Sequence, residues 1–140
     1  MKARIFISIV LCIACFSACE KKEADNEFSN QITLGTGLNH SNYFELSGES
    51  SDFYRVGGSA IIYVRVESTE DIAGNPILLE FKTLDNSLIN SISRPSTQDY
   101  GHILISSFEW MWTAGTYKVV AYIVQGDDKK FVAETVFTVH

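Results

Sequence analysis

The sequence has no cysteine beyond residue 19, and this absence limits what the rest of the chain can do. Its three cysteines are Cys12, Cys15 and Cys19. The later chain therefore has no disulfide, no thiol nucleophile and no thiolate metal ligand. A domain built from it must be stabilised by its hydrophobic core alone.

Motifs of common catalytic and metal sites are missing as well. Neither Gly-x-Ser-x-Gly nor His-Glu-x-x-His occurs in the sequence. The three histidines, which have no metal-ligand spacing, are His40, His102 and His140. Glu70–Asp71 and Asp127–Asp128 could offer oxygen atoms to calcium, although solvated loop carboxylates are the simpler interpretation. We therefore predict no catalytic residue, no metal and no cofactor.

Basic residues are few. The chain has 11 basic and 17 acidic residues and a net charge of −6. Without Lys2 and Arg4, 9 basic and 17 acidic residues would remain, with a net charge of about −8. An acidic surface without a basic stripe argues against binding to nucleic acid and against electrostatic adhesion to anionic lipid.

The apolar run near the start of the chain is short. Ile5–Ala14 spans ten residues and follows Lys2 and Arg4, whereas a membrane-spanning helix needs about twenty apolar residues. This pattern is typical of a secretion signal. Phe16-Ser-Ala-Cys19, which follows, resembles the lipobox of bacterial lipoproteins.

The lipobox resemblance implies cleavage before Cys19 and attachment of lipid, including palmitate, to this residue. On this hypothesis, residues 1–18 are the signal peptide, and residues 19–30 are the lipidated cysteine and a polar, flexible tether. The protein would then be held by lipid in a bacterial cell envelope. The outer membrane is the expected location, with the domain facing either the periplasm or the cell surface.

Residues 31–140 have the length of one domain. Short segments rich in β-branched and aromatic residues alternate with turn residues, which predicts an all-β sandwich of about seven to eight strands. Ser106-Ser107 interrupts one alternating segment and predicts a β-bulge there. Strands are predicted at Gln31–Leu38, Tyr43–Leu46, Ser59–Ser68, Pro76–Leu84, Leu88–Ser93, His102–Trp110, Gly115–Gln125 and Lys129–Val139.

The last two strands form the clearest predicted β-hairpin. Side chains alternate along a strand, so residues of one parity share a face. The first strand is expected to bury Tyr117, Val119, Ala121 and Ile123. The second is expected to bury Phe131, Ala133, Thr135, Phe137 and Val139.

The segment Ala114-Gly-Thr-Tyr-Lys-Val119 resembles the tyrosine corner of immunoglobulin-like sandwiches. The resemblance implies an immunoglobulin-like fold with Gly115 and Tyr117 as fold-defining residues, and a Tyr117 hydroxyl that bonds to the chain just upstream. The sequence differs from antibody domains, because Val119 replaces the cysteine and Phe81 stands where strand C carries tryptophan. It is therefore closer to the wider set of bacterial immunoglobulin-like modules.

The opposite parity of the hairpin, with one residue of a neighbouring strand, is the candidate partner-binding face. Its residues are Leu78, Val120, Tyr122, Val124, Val132 and Val136. Exposed apolar clusters of this kind mark interfaces, unless the N-terminal strand or a loop covers them. Trp110 and Trp112 share a parity and are expected at the core edge, with ligand stacking as the alternative.

The predicted function is a non-catalytic binding module with a protein partner. One alternative is an immunoglobulin-like protease inhibitor, which would present the loops Thr69–Asn75 and Arg94–Tyr100 to a protease. A carbohydrate-binding module that uses exposed aromatic side chains is a further alternative. A fold of this kind hosts many functions, so the fold alone does not decide between them.

Overall fold

In a computed structural model, residues 27–96 and 101–140 form two β-sheets that pack face to face. The predicted signal peptide, Cys19 and residues 97–100 of the second candidate inhibitor loop lie outside these described residues. The strands are β1 Gln31–Leu38, β2 Leu46–Glu49, β3 Asp52–Phe53, β4 Ser59–Glu67, β5 Ile77–Thr83, β6 Leu88–Arg94, β7 Ile103–Met111, β8 Gly115–Gln125 and β9 Asp128–Val139.

The strand order is that of an immunoglobulin-like sandwich. One sheet has the order β2-β1-β4-β7, and the other has the order β3-β9-β8-β5-β6. Strands β1, β4 and β7 occupy the positions of A, B and E, while β5, β8 and β9 occupy those of C, F and G. Strand β3 pairs in parallel with β9, and the remaining pairs are antiparallel. The predicted all-β sandwich is confirmed, although the described residues form nine strands instead of about seven to eight.

The core lies between the sheets and follows the predicted alternation. On β4, the inward side chains of Ala60, Ile62, Val64 and Val66 are buried. On β5, those of Ile77, Leu79 and Phe81 are buried, and β8 adds Val119, Ala121 and Ile123. Full burial of each valine or isoleucine side chain contributes about 1.5–3 kcal/mol, which compensates for the absence of a disulfide.

The structure corrects three details of the predicted strands. The predicted strand at Tyr43–Leu46 begins only at Leu46, because the side chains of Asn39 and Asn42 accept backbone N–H bonds and hold the preceding residues in turns. Strand β3 was not predicted, since two residues show no periodicity. Strand β7 pairs with β4 without a register shift, so the bulge predicted at Ser106-Ser107 is absent there.

The tyrosine corner has the expected geometry. The Tyr117 hydroxyl donates a hydrogen bond to the carbonyl oxygen of Thr113, with an oxygen–oxygen distance of 2.7 Å. A Cβ atom at Gly115 would lie 3.5 Å from that hydroxyl oxygen, which is an ordinary contact. The hydrogen bond of the Tyr117 hydroxyl therefore defines the corner, whereas Gly115 could carry a Cβ atom without a clash.

The N-terminal residues are fixed to one end of the sandwich by the buried carboxylate of Glu67. This carboxylate accepts the backbone N–H of Ser29 at 2.6 Å, the amide of Gln31 at 3.0 Å and the guanidinium of Arg65 at 2.5 Å. Beside it, the ring of Phe28 stacks on His102 with a centroid distance of 4.4 Å. The described contacts with the domain therefore include Phe28, three residues before the predicted boundary.

The substitution Tyr117→Phe is expected to lower the free energy of unfolding by about 1 kcal/mol, because it removes one hydrogen bond and leaves the ring in place. Urea denaturation monitored by tryptophan fluorescence measures the change. Tyr43→Phe, at an exposed loop position, serves as the control and is expected to have no effect. Equal stability of Tyr117→Phe and the wild type would show that the corner does not depend on this bond.

Acid is expected to weaken the Glu67 attachment. Burial opposes ionisation of this carboxyl, but the hydrogen bonds from Ser29, Gln31 and Arg65 outweigh it and lower its pKa from 4.5 to about 2. A carboxyl with a lower pKa in the folded state stabilises the fold fully above its unfolded pKa, and this contribution is lost as the pH falls from about 4.5 to 2. The contribution is on the order of 2–3 kcal/mol.

Glu67→Gln should therefore be less stable than the wild type at neutral pH, and the two stabilities should converge as the pH falls towards 2. Chemical denaturation at a series of pH values measures both curves. Glu49→Gln, at an exposed position on β2, is the matched control and should follow the wild type. A difference in free energy of unfolding between Glu67→Gln and the wild type that stays constant across this pH range would contradict the lowered pKa of Glu67.

Candidate functional site

The predicted partner-binding face lies on the side of the five-stranded sheet that points away from the other sheet, here called the outer face. Leu78, Tyr122 and Val124 are half-buried there, and Val136 is 48% exposed. Val120 is almost fully buried, although it belongs to the same face. The apolar residues of this face are thus mostly covered.

Charged side chains of the outer face account for this covering. The carboxylate of Glu80 lies 2.7 Å from the Lys82 ammonium and 2.6 Å from the Lys129 ammonium. Both ammonium groups also lie over the ring of Tyr122, at 5.8 and 4.5 Å from its centroid. Lysine side chains of this kind lay their methylene stems along apolar surface. Val120 is paired with Glu80 across the two strands, so it lies next to this charged cluster.

These contacts also shift the pKa values of Glu80 and Lys82. Burial opposes the charge on Glu80, but the hydrogen bonds from Lys129 and Lys82 prevail and lower its pKa. The hydrogen bond to Glu80 raises the pKa of Lys82 in turn. The outer face is therefore a network of fixed ion pairs around one aromatic ring.

Val132 does not belong to the outer face. Ala121 pairs with Ala133 and Tyr122 pairs with Phe131, so Val132 is the extra residue of a β-bulge on β9. As a result, Val132 is 4% exposed and packs in the core, while Phe131 is exposed and lies against Tyr122. The predictions for Val132 and Phe131 were both wrong, because a bulge inverts the alternation on one side of it.

A second site lies at the open side of the sandwich, where the edge strands β6 and β7 face one another. We call this pocket the edge cleft; its volume is about 160 Å³. It is formed by residues of both sheets and by the turn after β7. Its principal lining residues are Phe81, Asn90, Phe108, Glu109, Trp110 and Trp112.

Trp112 lines the edge cleft, but its indole nitrogen is buried inside the domain. The side chain is 5% exposed, and no group within the described ranges accepts a hydrogen bond from its buried Nε1–H. Buried donors are nearly always paired, and leaving one without a partner costs on the order of 1–3 kcal/mol. Trp110, by contrast, is 42% exposed at the rim of the cleft. Both tryptophans were predicted at the core edge; only Trp112 is part of the core.

Arg94 bridges the two sheets beside the edge cleft. From β6, its Nε donates to Ser106 Oγ at 2.8 Å and its Nη2 donates to the Ser107 carbonyl oxygen at 3.1 Å. Ser106, which was predicted to interrupt the strand, thus accepts an inter-sheet bond. At the rim, the Glu109 carboxylate accepts a hydrogen bond from the Ser59 hydroxyl at 2.8 Å.

The edge cleft could not be found by searching the sequence for motifs. Its walls come from β5, β6 and β7, whose lining residues are separated by up to about thirty positions. Each residue by itself resembles an ordinary core or edge residue. The signal in the sequence is the pair of tryptophans at the end of β7, for which ligand stacking is the alternative to a position at the core edge.

The other predicted sites have structural roles in the described part of the chain. In the loop Thr69–Asn75, Ile72 is fully buried, and its backbone N–H donates to the carbonyl oxygen of Gly101. Glu70 forms an ion pair with Lys130. Within residues 27–96 and 101–140, no group of three or more histidine, aspartate or glutamate side chains could hold a metal ion. No helix in the same ranges is long and apolar enough to cross a membrane.

No protein-family model and no curated protein matches the sequence. Among solved structures, the chain is similar to one described as the crystal structure of the C-terminal domain of wzt. The two share 11% sequence identity with a TM-score of 0.39, and the match covers 79% of this chain and 71% of that one.

Val132→Glu is expected to lower the free energy of unfolding by at least about 3 kcal/mol, because it places a carboxyl group in the core. Val136→Glu, on the outer face of the same strand opposite Lys118, is the matched control and should change stability by less than about 0.5 kcal/mol. Thermal and urea denaturation measure both variants. A folded Val132→Glu domain with wild-type stability would show that Val132 points outward after all.

Proposed function

We propose that this protein is a lipid-anchored, non-catalytic binding module of a bacterial cell envelope, and that it holds its ligand in the edge cleft. In this proposal, Cys19 carries the lipid, and the polar residues after it connect the lipid to the domain. The resemblance of Phe16-Ser-Ala-Cys19 to a lipobox supports the anchor. The location is the outer membrane, with the domain on its periplasmic or external side.

The observation that carries the binding function is the composition of the edge cleft. Aromatic walls and a small number of polar groups are typical of ligand sites, and the edge cleft combines Phe108 and the half-exposed Trp110 with the polar side chains of Asn90 and Glu109. Among the described residues, the lining includes one carboxylate, that of Glu109, whereas glycoside hydrolysis uses a pair. Binding without catalysis is the function that this lining supports best.

The position of the edge cleft in the domain agrees with a role at a membrane. Ser29 and Gln31 are held at the Glu67 end of β4. Ala60, near the opposite end of β4, pairs with Trp110 at the cleft rim. At about 3.3 Å per residue, this places the rim roughly 20–25 Å along the strands from the attachment of the tether. The cleft would thus be presented away from the lipid.

The outer face and the candidate inhibitor loops are less suited to binding. A partner at the outer face would have to displace or desolvate the ion pairs of Glu80, which is costly. A protease-inhibiting loop must be exposed, whereas the loop Thr69–Asn75 buries its central Ile72 and lies at the tether end. We therefore assign the ligand to the edge cleft.

The anchor is tested by Cys19→Ala in bacterial cells fed a clickable palmitate analogue. The variant should lose the label, because no thiol remains at the processing site. Cys15→Ala removes a nearby cysteine of the predicted signal peptide and is the matched control, which should keep both label and membrane association. Labelling of Cys19→Ala at the wild-type level would refute lipid attachment at Cys19.

A further inference from the structure

We propose that β7 adds an extended peptide segment of a partner protein as a further strand, and that the edge cleft receives an apolar side chain of this peptide. The peptide pairs with residues 109–111 of β7, here called the free edge. This inference rests on the proposed binding function and names the kind of ligand. In strand addition, backbone hydrogen bonds supply affinity, and pockets for alternate side chains supply specificity.

The backbone groups of the free edge point away from β4, the neighbour of β7 in the sheet. In an antiparallel pair, the residues that exchange backbone hydrogen bonds with the partner strand alternate with residues that do not. The His102 carbonyl oxygen accepts the Ser68 N–H at 2.9 Å, so the even-numbered residues of β7 bond to β4. The N–H and C=O groups of Glu109 and Met111 therefore point the other way, and no group in residues 27–96 and 101–140 bonds to them there. Unpaired edge groups of this kind are a template for another strand.

Side chains cover the backbone at neighbouring positions of the two edge strands. On β7, the Ser107 carbonyl oxygen already accepts a hydrogen bond from Arg94 Nη2 at 3.1 Å. On β6, the Asn90 side-chain oxygen accepts the Ser91 N–H at 2.9 Å. Such coverage hinders the addition of a strand. The stretch of β7 beyond Ser107 is thus the open place beside the edge cleft.

The inward side of the free edge offers a place for an apolar side chain. Trp110 has the same parity as the buried Phe108, but it is 42% exposed, since no strand of this sheet lies beyond β7. An inward side chain of an added strand would lie against both rings, in the edge cleft that they line. The cleft volume of about 160 Å³ is below the roughly 300–1,000 Å³ of pockets for drug-sized molecules. It therefore suits one side chain of a longer ligand.

Charge selects the peptide residue opposite Glu109. This glutamate lines the edge cleft and also a shallow pocket next to Ile61, on the other side of the sheet. Opposite charges at directly paired positions of two strands attract each other. The net charge of −6 likewise favours a basic partner. The expected peptide core is therefore apolar–basic–apolar, with the apolar residues opposite Phe108 and Trp110.

A second copy of the chain fits the free edge less well. Two free edges paired at Glu109 would place two carboxylates opposite each other, which is unfavourable. The stretch beyond the Arg94 contact is also short, whereas a stable protein–protein interface buries about 800 Å² on each partner. A peptide with a basic residue avoids the repulsion and needs only this short stretch.

The test begins with a selection for the predicted peptide core. Full-length protein in a zwitterionic detergent is immobilised and exposed to a phage library of random heptapeptides. The enriched peptides should share the apolar–basic–apolar core. A synthetic peptide with the enriched sequence is then labelled with a fluorophore, and its dissociation constant is measured by fluorescence anisotropy.

A proline at the free edge tests the backbone pairing. Met111→Pro removes an N–H that faces away from β4, and proline is tolerated at such edge positions, so the domain should fold. Peptide affinity should fall at least about tenfold. Met111→Ala keeps the N–H and should lose less than about threefold. Trp110→Ala should weaken binding about five- to tenfold, and Tyr43→Ala, an exposed aromatic outside the cleft, should bind like the wild type.

Methylation of the peptide backbone tests the same pairing without a change to the protein. The basic residue opposite Glu109 exchanges both of its backbone hydrogen bonds with this residue. N-methylation of the basic residue should therefore weaken binding at least about tenfold. N-methylation of the next apolar residue, whose N–H points away from β7, is the matched control and should have a smaller effect. Equal effects of the two methyl groups would overturn strand addition, even if Met111→Pro does not fold.

The remaining outcomes separate strand addition from the binding function. If no peptide is enriched but toluene or a methyl glycoside moves the Trp110 indole signal in an ¹H–¹⁵N spectrum, strand addition is wrong and binding in the edge cleft stands. If no probe moves this signal, both proposals are wrong. Peptide binding that is unchanged in Met111→Pro and in Trp110→Ala would place the peptide on another surface and overturn both. A wild-type dimer in sedimentation that Met111→Pro abolishes would make a second copy the occupant and overturn the partner peptide.

Discussion

The packing of Trp112 holds the two sheets together in a sandwich without a disulfide. Its indole lies 6.2 Å from the ring of Phe108 in one sheet, and 6.0, 5.0 and 5.3 Å from the rings of Phe81, Tyr117 and Phe137 in the other. Aromatic contacts of this kind add to the burial of apolar area. The same side chain forms a wall of the edge cleft, so the stability of the core and the shape of the site depend on one residue.

The sequence predicted the parts of the fold that follow from local alternation. On β4 and β8, the inward residues follow the period of two and are buried as predicted. Val120 and Glu67, which have the outward parity, are buried as well, because polar side chains from other segments lie over them. On β9, the bulge at Val132 reverses the alternation, and nothing in the local sequence reveals it, because phenylalanine and valine are both suited to either face. The Glu67 attachment was missed for another reason. Its partners are 36 and 38 residues away in the chain.

The candidate site was predicted less well than the fold, since it depends on which strands end up at the edges. The hairpin residues that looked like an exposed apolar face are covered by Lys82 and Lys129, and one of those lysines comes from another strand. The edge cleft exists because β6 and β7 each pair on one side and leave the sandwich open between them. Its polar and aromatic residues meet only after both sheets have formed.

The attachment at Glu67 also has a mechanical consequence. A force on the proposed tether would enter the domain through Ser29 and Gln31 and run along β1, which pairs with β4 over five residues. Such a force acts parallel to the strands, so the hydrogen bonds of this ladder would share the load instead of breaking one after another. With a ligand bound in the edge cleft, as proposed, the domain would be loaded in shear, the direction in which a β-sandwich resists extension best.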